Sequence, residues 1–141
     1  IALHRERVYG AMIRSLDRNV GRVLDALRRH GLEENTLVIF TSDNGGAHYV
    51  GIEGLNRPYR GWKATFFEGG VHVPFFMKWP ARLPPGQVAN ARAMHIDVFR
   101  TAAAAAGAQV GSLPLDGADL VALSRDQPLD RPLFFRSGHY K

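Results

Sequence analysis

Asp43 and Asn44 close a short apolar run, Thr36-Leu-Val-Ile-Phe-Thr-Ser42, and are followed at once by Gly45-Gly46. Carboxylate and carboxamide oxygens are hard ligands, better suited to Ca²⁺ or Mg²⁺ than to a soft metal. The same four residues also suit an Asx turn after a strand. Lys63 lies in Arg60-Gly-Trp-Lys-Ala-Thr-Phe-Phe-Glu-Gly-Gly70. An ammonium in a glycine-rich, aromatic loop is placed to hold an anion, although a surface lysine is the commoner case. His48 and His72 offer imidazoles as ligands, acid–base groups or polar rim residues. No His-x-x-x-His pair supports zinc, no G-x-x-x-x-G-K-[ST] loop supports nucleotide binding, and no G-x-S-x-G elbow supports a hydrolase serine. Cysteine is absent, which excludes disulfides, thiolate metal sites and a thiol nucleophile.

The elements that must position these groups follow from periodicity and punctuation. Tyr9, Met12, Ile13, Leu16, Val20, Val23, Leu24 and Leu27 recur at steps of three and four, predicting one amphipathic helix over 8–30. Arg28 and Arg29 complement its last turn, and Gly31 is placed to end it. The run 36–42 predicts a buried parallel strand, so Asp43 and Asn44 stand beyond a strand's carboxyl end, where α/β sheets bind ligands. Helix, short turn and buried strand together predict an α/β protein. A glycine-rich irregular stretch fills 47–70, a length usually functional in compact domains. A second strand is expected over 71–79, with Pro74 near its start, and a helix over 97–106, with Asp97 as N-cap and Gly107 as terminator. A loop with a short helix is expected over 113–124, and a further strand from Pro132 to Arg136.

At 141 residues, with 45% hydrophobic and 22% charged residues, the chain reads as one globular domain, 1–141. No apolar run is long enough for a membrane-spanning helix. The net charge of +5 sits at the N-terminal end, where seven arginines face only Glu6, Asp17 and Asp25 within residues 1–30. That pattern reads as a solvated helix face, and no nucleic-acid partner is expected.

In order and spacing, the segments resemble the sulfatase family of the alkaline phosphatase superfamily. They are Tyr9…Leu27, Asn35 to Gly46, Tyr59-Arg-Gly-Trp-Lys63, Phe67-Glu-Gly-Gly-Val-His-Val-Pro74, Trp79-Pro80, Ile96-Asp97 and Asp116-Gly-Ala-Asp-Leu120. The resemblance spans nearly the whole chain and covers the later part of a sulfatase catalytic domain. It implies a partial alkaline-phosphatase-like sandwich, a mostly parallel sheet flanked by helices. It places the family's Ca²⁺-binding pair on Asp43 and Asn44, and its sulfate-contacting lysine, a catalytic role, on Lys63; His48, an imidazole in the same loop, is expected from its residue type as a further substrate contact. The substrate would be a sulfate ester.

The departures carry their own expectations. The family nucleophile is a formylglycine made from the Cys or Ser of C/S-x-P-x-R. The chain's S-x-P, Ser112-Leu-Pro-Leu-Asp116, has aspartate in place of that arginine and lies at the wrong end. The formylglycine is therefore expected upstream, and Ile1 at the first position agrees with a piece of a longer polypeptide. At His72 the family usually has arginine, and the expected consequence is structural. The leading reading is a fragment of a Ca²⁺-dependent sulfatase, inactive alone. The alternatives are a non-catalytic binding or assembly module on this fold, and a fragment of a phosphatase or phosphonate hydrolase of the superfamily. A sheet cut before Ile1 would expose apolar edges and faces, so self-association is expected. Export is common in the family, which makes a periplasmic or secreted parent an expectation, and the arginine richness points to a bacterial source.

Overall fold

The computed structural model describes residues 2–110, 113–126 and 131–136. In chain order its elements are α1 (Ala2–Arg29), β1 (Val38–Thr41), a 3-10 turn (His48–Val50), α2 (Glu68–Val71), β2 (Phe75–Lys78), α3 (Ile96–Ala105) and α4 (Leu120–Asp126). Ser112, the serine of the S-x-P segment, lies outside the described residues.

The chain divides into two compact units. One holds α1 up to Glu33 together with Ile39–Met77; the other holds Glu34–Val38 and the described part of Lys78–Arg136. In the first, α1 begins well before the Val8 start that periodicity predicts, because His4 to Arg7 carry no helix breaker. It ends in a Schellman motif. Leu32 N–H donates to the Leu27 carbonyl at 2.9 Å, Gly31 N–H donates to Arg28 at 3.1 Å, and Gly31 takes φ +66°, where a side chain would be strained. Arg28 pairs with Asp25 at 2.9 Å. The apolar stripe does share one face, but it is open: Met12 is 63% exposed and Val23 60%.

β1 and β2 are hydrogen-bonded neighbours in a two-stranded sheet. Both strands are shorter than predicted. Val71 belongs to the helical turn α2, with His72 at its end, and the strand starts only after Pro74, which cannot donate to a ladder. β1 is half-buried rather than buried, and Phe40 and Phe76 meet ring to ring at 6.3 Å on an open face. The fully buried residues of this unit are Gly45, Gly69 and Gly70.

The second unit has its own centre. Trp79 and Leu120 are its buried apolar side chains, and Asp97 and Thr101 are wholly buried polar ones. Asp97 does not cap α3: the N-cap is His95, and Asp97 sits in the first turn. Its carboxylate instead accepts N–H from Met94 at 2.7 Å and Ala118 at 2.8 Å, and pairs with the Arg131 guanidinium. Burial pushes the Asp97 carboxyl up, but the Arg131 hydrogen bond, the two backbone donors and the guanidinium charge outweigh it and hold it below the ordinary value. Thr101 Oγ1 accepts the Leu120 N–H at 3.0 Å, which docks α4 on α3. Gly107 ends α3 as expected. The segment 132–136 is not a strand; it is irregular, and Phe134 is 81% exposed, with no neighbouring strand among the described residues to complete a ladder.

Candidate functional site

The site candidates all fall in the first unit, within Ile39–Met77. Asp43 and Asn44 lie just past the carboxyl end of β1, with Ser42 between Thr41 and Asp43. Asp43 is exposed, and its Oδ1 accepts the Asn44 N–H at 3.0 Å. Asn44 Nδ2 donates to the Gly45 carbonyl at 3.0 Å, and Ser42 Oγ donates to the Asn44 carbonyl at 2.9 Å. The turn is thus fixed by its own polar groups. Asp43 Oδ2 and Asn44 Oδ1 remain as acceptors outside these bonds.

What holds this turn against the rest of the loop is backbone contact between glycines. Gly45 N–H donates to the Gly70 carbonyl at 2.9 Å, and a Cβ on Gly45 would run into the Gly69 carbonyl. Gly69 N–H in turn donates to Arg60 O at 2.7 Å. The Glu-Gly-Gly segment therefore serves as the wall on which the Asp-Asn-Gly-Gly turn rests.

Lys63 reaches the same place from another direction. Its backbone N–H donates to the Gly46 carbonyl at 3.2 Å, so the lysine-bearing turn and the Asp-Asn-Gly-Gly turn lie side by side. The Lys63 side chain is exposed and makes no hydrogen bond or ion pair among the described residues. Thr65 Oγ1 braces the turn, donating to Trp62 O at 2.7 Å and accepting Trp62 N–H at 3.1 Å. His48 sits in the 3-10 turn with its ring 5.1 Å from that of Trp62. His72 stands apart from Lys63 in role: it stacks on Tyr59 at 4.5 Å, and its Nδ1 lies 2.7 Å from Glu68 Oε2.

A scan of known family profiles matches the sulfatase profile over residues 4–108, about three-quarters of the chain. The chain belongs to the sulfatase family. It is 39% identical over 134 residues to N-acetylgalactosamine-6-sulfatase of Canis lupus familiaris, covering 92% of this chain and 26% of that protein. It is 43% identical over 124 residues to steryl-sulfatase of Mus musculus, covering 83% of this chain and 20% of that one. Among solved structures, Ps i-CgsB in complex with k-i-k-neocarrahexaose superposes with TM-score 0.77 at 34% identity, covering 84% of this chain and 26% of that chain. PsFucS1 sulfatase from Pseudoalteromonas sp. gives TM-score 0.68 at 31% identity, over 80% and 23%. The chain spans about a quarter of the length of the relatives it matches. Its fold is the expected one, a partial α/β fold of the alkaline-phosphatase-like kind.

Within this sulfatase chain, Asn56 is the organising residue that pattern reasoning passed over. Its Oδ1 accepts Gly46 N–H at 2.7 Å, and its Nδ2 donates to Gly46 O at 2.9 Å and Gly61 O at 3.0 Å. One carboxamide thereby joins the turn after β1 to the turn before Lys63. The available signal was an asparagine opening a Pro- and Gly-punctuated turn, Asn56-Arg-Pro-Tyr-Arg-Gly61. Asp43 and Asn44, on adjacent residues just past β1, carry side-chain oxygens of the kind that hard cations take. No cluster of three or more His, Cys, Asp or Glu side chains able to hold a metal occurs among the described residues. Ca²⁺ takes about 6–8 oxygens, so Asp43 and Asn44 fit as contributors and not as a complete set.

Proposed function

We propose that this chain supplies the Ca²⁺-binding pair and the sulfate-binding lysine of a sulfuric ester hydrolase, with the nucleophile provided by sequence outside residues 1–141. The observation that carries it is the Lys63 N–H on the Gly46 carbonyl, which sets a cation-bearing turn against an Asp-Asn turn seventeen or more residues away in sequence. Cleavage of a sulfate ester moves negative charge onto the sulfuryl and leaving-group oxygens. An ammonium held beside those oxygens stabilises the transition state more than the ground state. Lys63 is exposed, and its peptide is fixed at both Gly46 and, through Trp62, Thr65.

Asp43 and Asn44 would hold Ca²⁺ by Oδ2 and Oδ1. The chemistry such a cation supplies when bound is electrostatic: fixed positive charge opposite the sulfuryl oxygens. Asp43 also brings one negative charge that the cation would offset. The names of the relatives, N-acetylgalactosamine-6-sulfatase and steryl-sulfatase, support sulfate esters as the substrate class. The same reading makes the isolated chain inactive, since it has no cysteine and Ser112 is followed by Asp116 where the family motif needs arginine.

Calorimetric titration of the chain with inorganic sulfate, with and without Ca²⁺, tests this reading. Sulfate binding should weaken at least tenfold in Lys63→Ala, whereas added Ca²⁺ should bind the isolated chain weakly and change sulfate affinity little, since Asp43 and Asn44 supply only part of the oxygens that Ca²⁺ takes. Sulfate affinity unchanged in Lys63→Ala overturns the assignment. Turnover of 4-nitrophenyl sulfate by the isolated chain would overturn the external nucleophile.

A further inference from the structure

We propose that the arginine face of α1 is a docking surface for a linear sulfated polymer of sugars, separate from the turns that carry Asp43, Asn44 and Lys63. The choice of a sulfated partner rests on the sulfate reading above; the docking surface itself does not. Arg7, Arg14, Arg18, Arg22 and Arg29 are all exposed residues of α1. Their spacing of seven, four, four and seven residues keeps them within an arc of about 80° at 3.6 residues per turn. At 1.5 Å per residue they make a straight row about 33 Å long, on the side of the helix opposite the apolar stripe.

By sequence this charge reads as a solvated face, but a merely solvated face pairs its cations. Acidic side chains three or four residues away stabilise a helix, and like charges at that spacing destabilise it. Arg14, Arg18 and Arg22 follow one another at four-residue steps, so three guanidiniums repel along one line. Arg7, Arg14, Arg18 and Arg29 make no side-chain hydrogen bond or ion pair among the described residues, and Arg22 reaches the neutral Asn19 Oδ1 at 3.1 Å. The acid within the row, Asp25, already takes Arg28 at 2.9 Å. Ala11 and Ser15, which stand between the arginines, are small and uncharged. The row therefore presents positive charge that nothing in its own unit offsets.

Charge complementarity calls for an extended polyanion. Guanidinium takes an oxyanion by parallel hydrogen bonds, and the five long cationic side chains of the row are all arginine. A polymer with a sulfate on each repeat meets the row along its length, and a sulfate between neighbouring guanidiniums relieves their repulsion. A single nucleic-acid strand also needs aromatic platforms for its bases, and the row has none. An anionic membrane would draw in the apolar face of the helix. Tyr9, Val20, Leu24 and Leu27 on that face are already half-buried against the protein.

The test titrates the 141-residue chain by calorimetry with size-matched oligosaccharides of chondroitin sulfate and hyaluronan, with oligothymidylate and with phosphatidylserine vesicles. Chondroitin sulfate should bind most tightly, with an affinity that falls as salt rises. Arg14→Gln with Arg18→Gln should weaken it at least tenfold, whereas the charge-matched pair Arg100→Gln with Arg136→Gln should stay within threefold. Glutamine is close to arginine in helix propensity, so circular dichroism should show α1 intact in the first pair. Equal losses in the two pairs, or none in the first, overturn the arginine row. Row-dependent binding of oligothymidylate or of the vesicles that is tighter than that of chondroitin sulfate overturns the choice of partner, as does equal binding of hyaluronan. Lys63→Ala should leave chondroitin sulfate within twofold while weakening inorganic sulfate. Chondroitin sulfate lost in Lys63→Ala but kept in the row variant overturns the docking surface. Inorganic sulfate unchanged in Lys63→Ala overturns the sulfate reading and leaves the row standing.

Discussion

Asn56 holds Gly46 by both ends of one carboxamide, accepting its N–H at 2.7 Å and donating to its carbonyl at 2.9 Å. The pairing is reciprocal, and only an amide side chain offers both a donor and an acceptor in one plane. Because the same Nδ2 also reaches Gly61, the residue fixes the turn after β1 and the turn before Lys63 at once. Asn56→Ala leaves the half-buried Gly46 N–H and the Gly61 carbonyl without these partners, while the Gly46 carbonyl keeps Lys63 N–H, a loss of about 1–3 kcal/mol. Urea denaturation should show that loss. Asn56→Asp should not rescue it, since a carboxylate cannot donate to Gly46 O. Full stability in Asn56→Asp would show that the donor bonds contribute nothing.

Gly45 and Gly69 meet so closely that no side chain fits between them. A Cβ on Gly45 would overlap the Gly69 carbonyl, and backbone cannot step aside as a side-chain tip can. Gly45→Ala should cost about 1–3 kcal/mol by overpacking. Proteolysis within 47–70 should quicken in parallel, because the wall behind the turn is displaced. Gly10→Ala is the control: a Cβ there meets nothing within 4 Å, and the exposed helix should be stabilised.

Asp97 makes the second unit sensitive to acid. Its folded-state value is held below the ordinary one, chiefly by Arg131 against the opposing effect of burial. A lowered value means that the stabilisation is fully present above the ordinary carboxylate range and is lost as pH falls through the folded value. Stability should therefore decline on acidification below about pH 4. In Asp97→Asn the decline should flatten. Asp97→Ala, which leaves Arg131 without its buried partner, should cost about 3–5 kcal/mol at neutral pH. A wild-type pH profile identical to that of Asp97→Asn would contradict the assignment.

The open stripe of α1 should drive self-association. Met12, Leu16 and Val23 are each about half exposed or more, and Phe40 and Phe76 add a second open apolar surface. Exposed apolar side chains along one helix face are the kind of surface through which chains associate. Sedimentation velocity should show oligomers growing with concentration. Leu16→Glu with Val23→Glu should restore monomer without unfolding α1, as the helix is read by circular dichroism. A wild-type monomer throughout the concentration range would refute this.

Residue types and their punctuation carry the local features of the chain. The three- and four-residue spacing specified α1, Gly31 and Gly107 specified two helix ends, and the run before Asp43 specified a strand with a carboxylate and a carboxamide just past its carboxyl end. These features are legible because each depends on near neighbours in the chain: a helical period, a cap, a turn residue. The tertiary structure decided the rest. That Gly45 rests on Gly69, that Asn56 ties Gly46 to Gly61, that His48 leans on Trp62 and that Asp97 serves Met94, Ala118 and Arg131 instead of capping α3 all depend on backbones distant in sequence meeting in space. Such meetings leave no local period to read. The burial of β1 was overestimated for the same reason: an apolar run reports what a strand is suited to pack against, and only the fold decides whether Phe40 is covered.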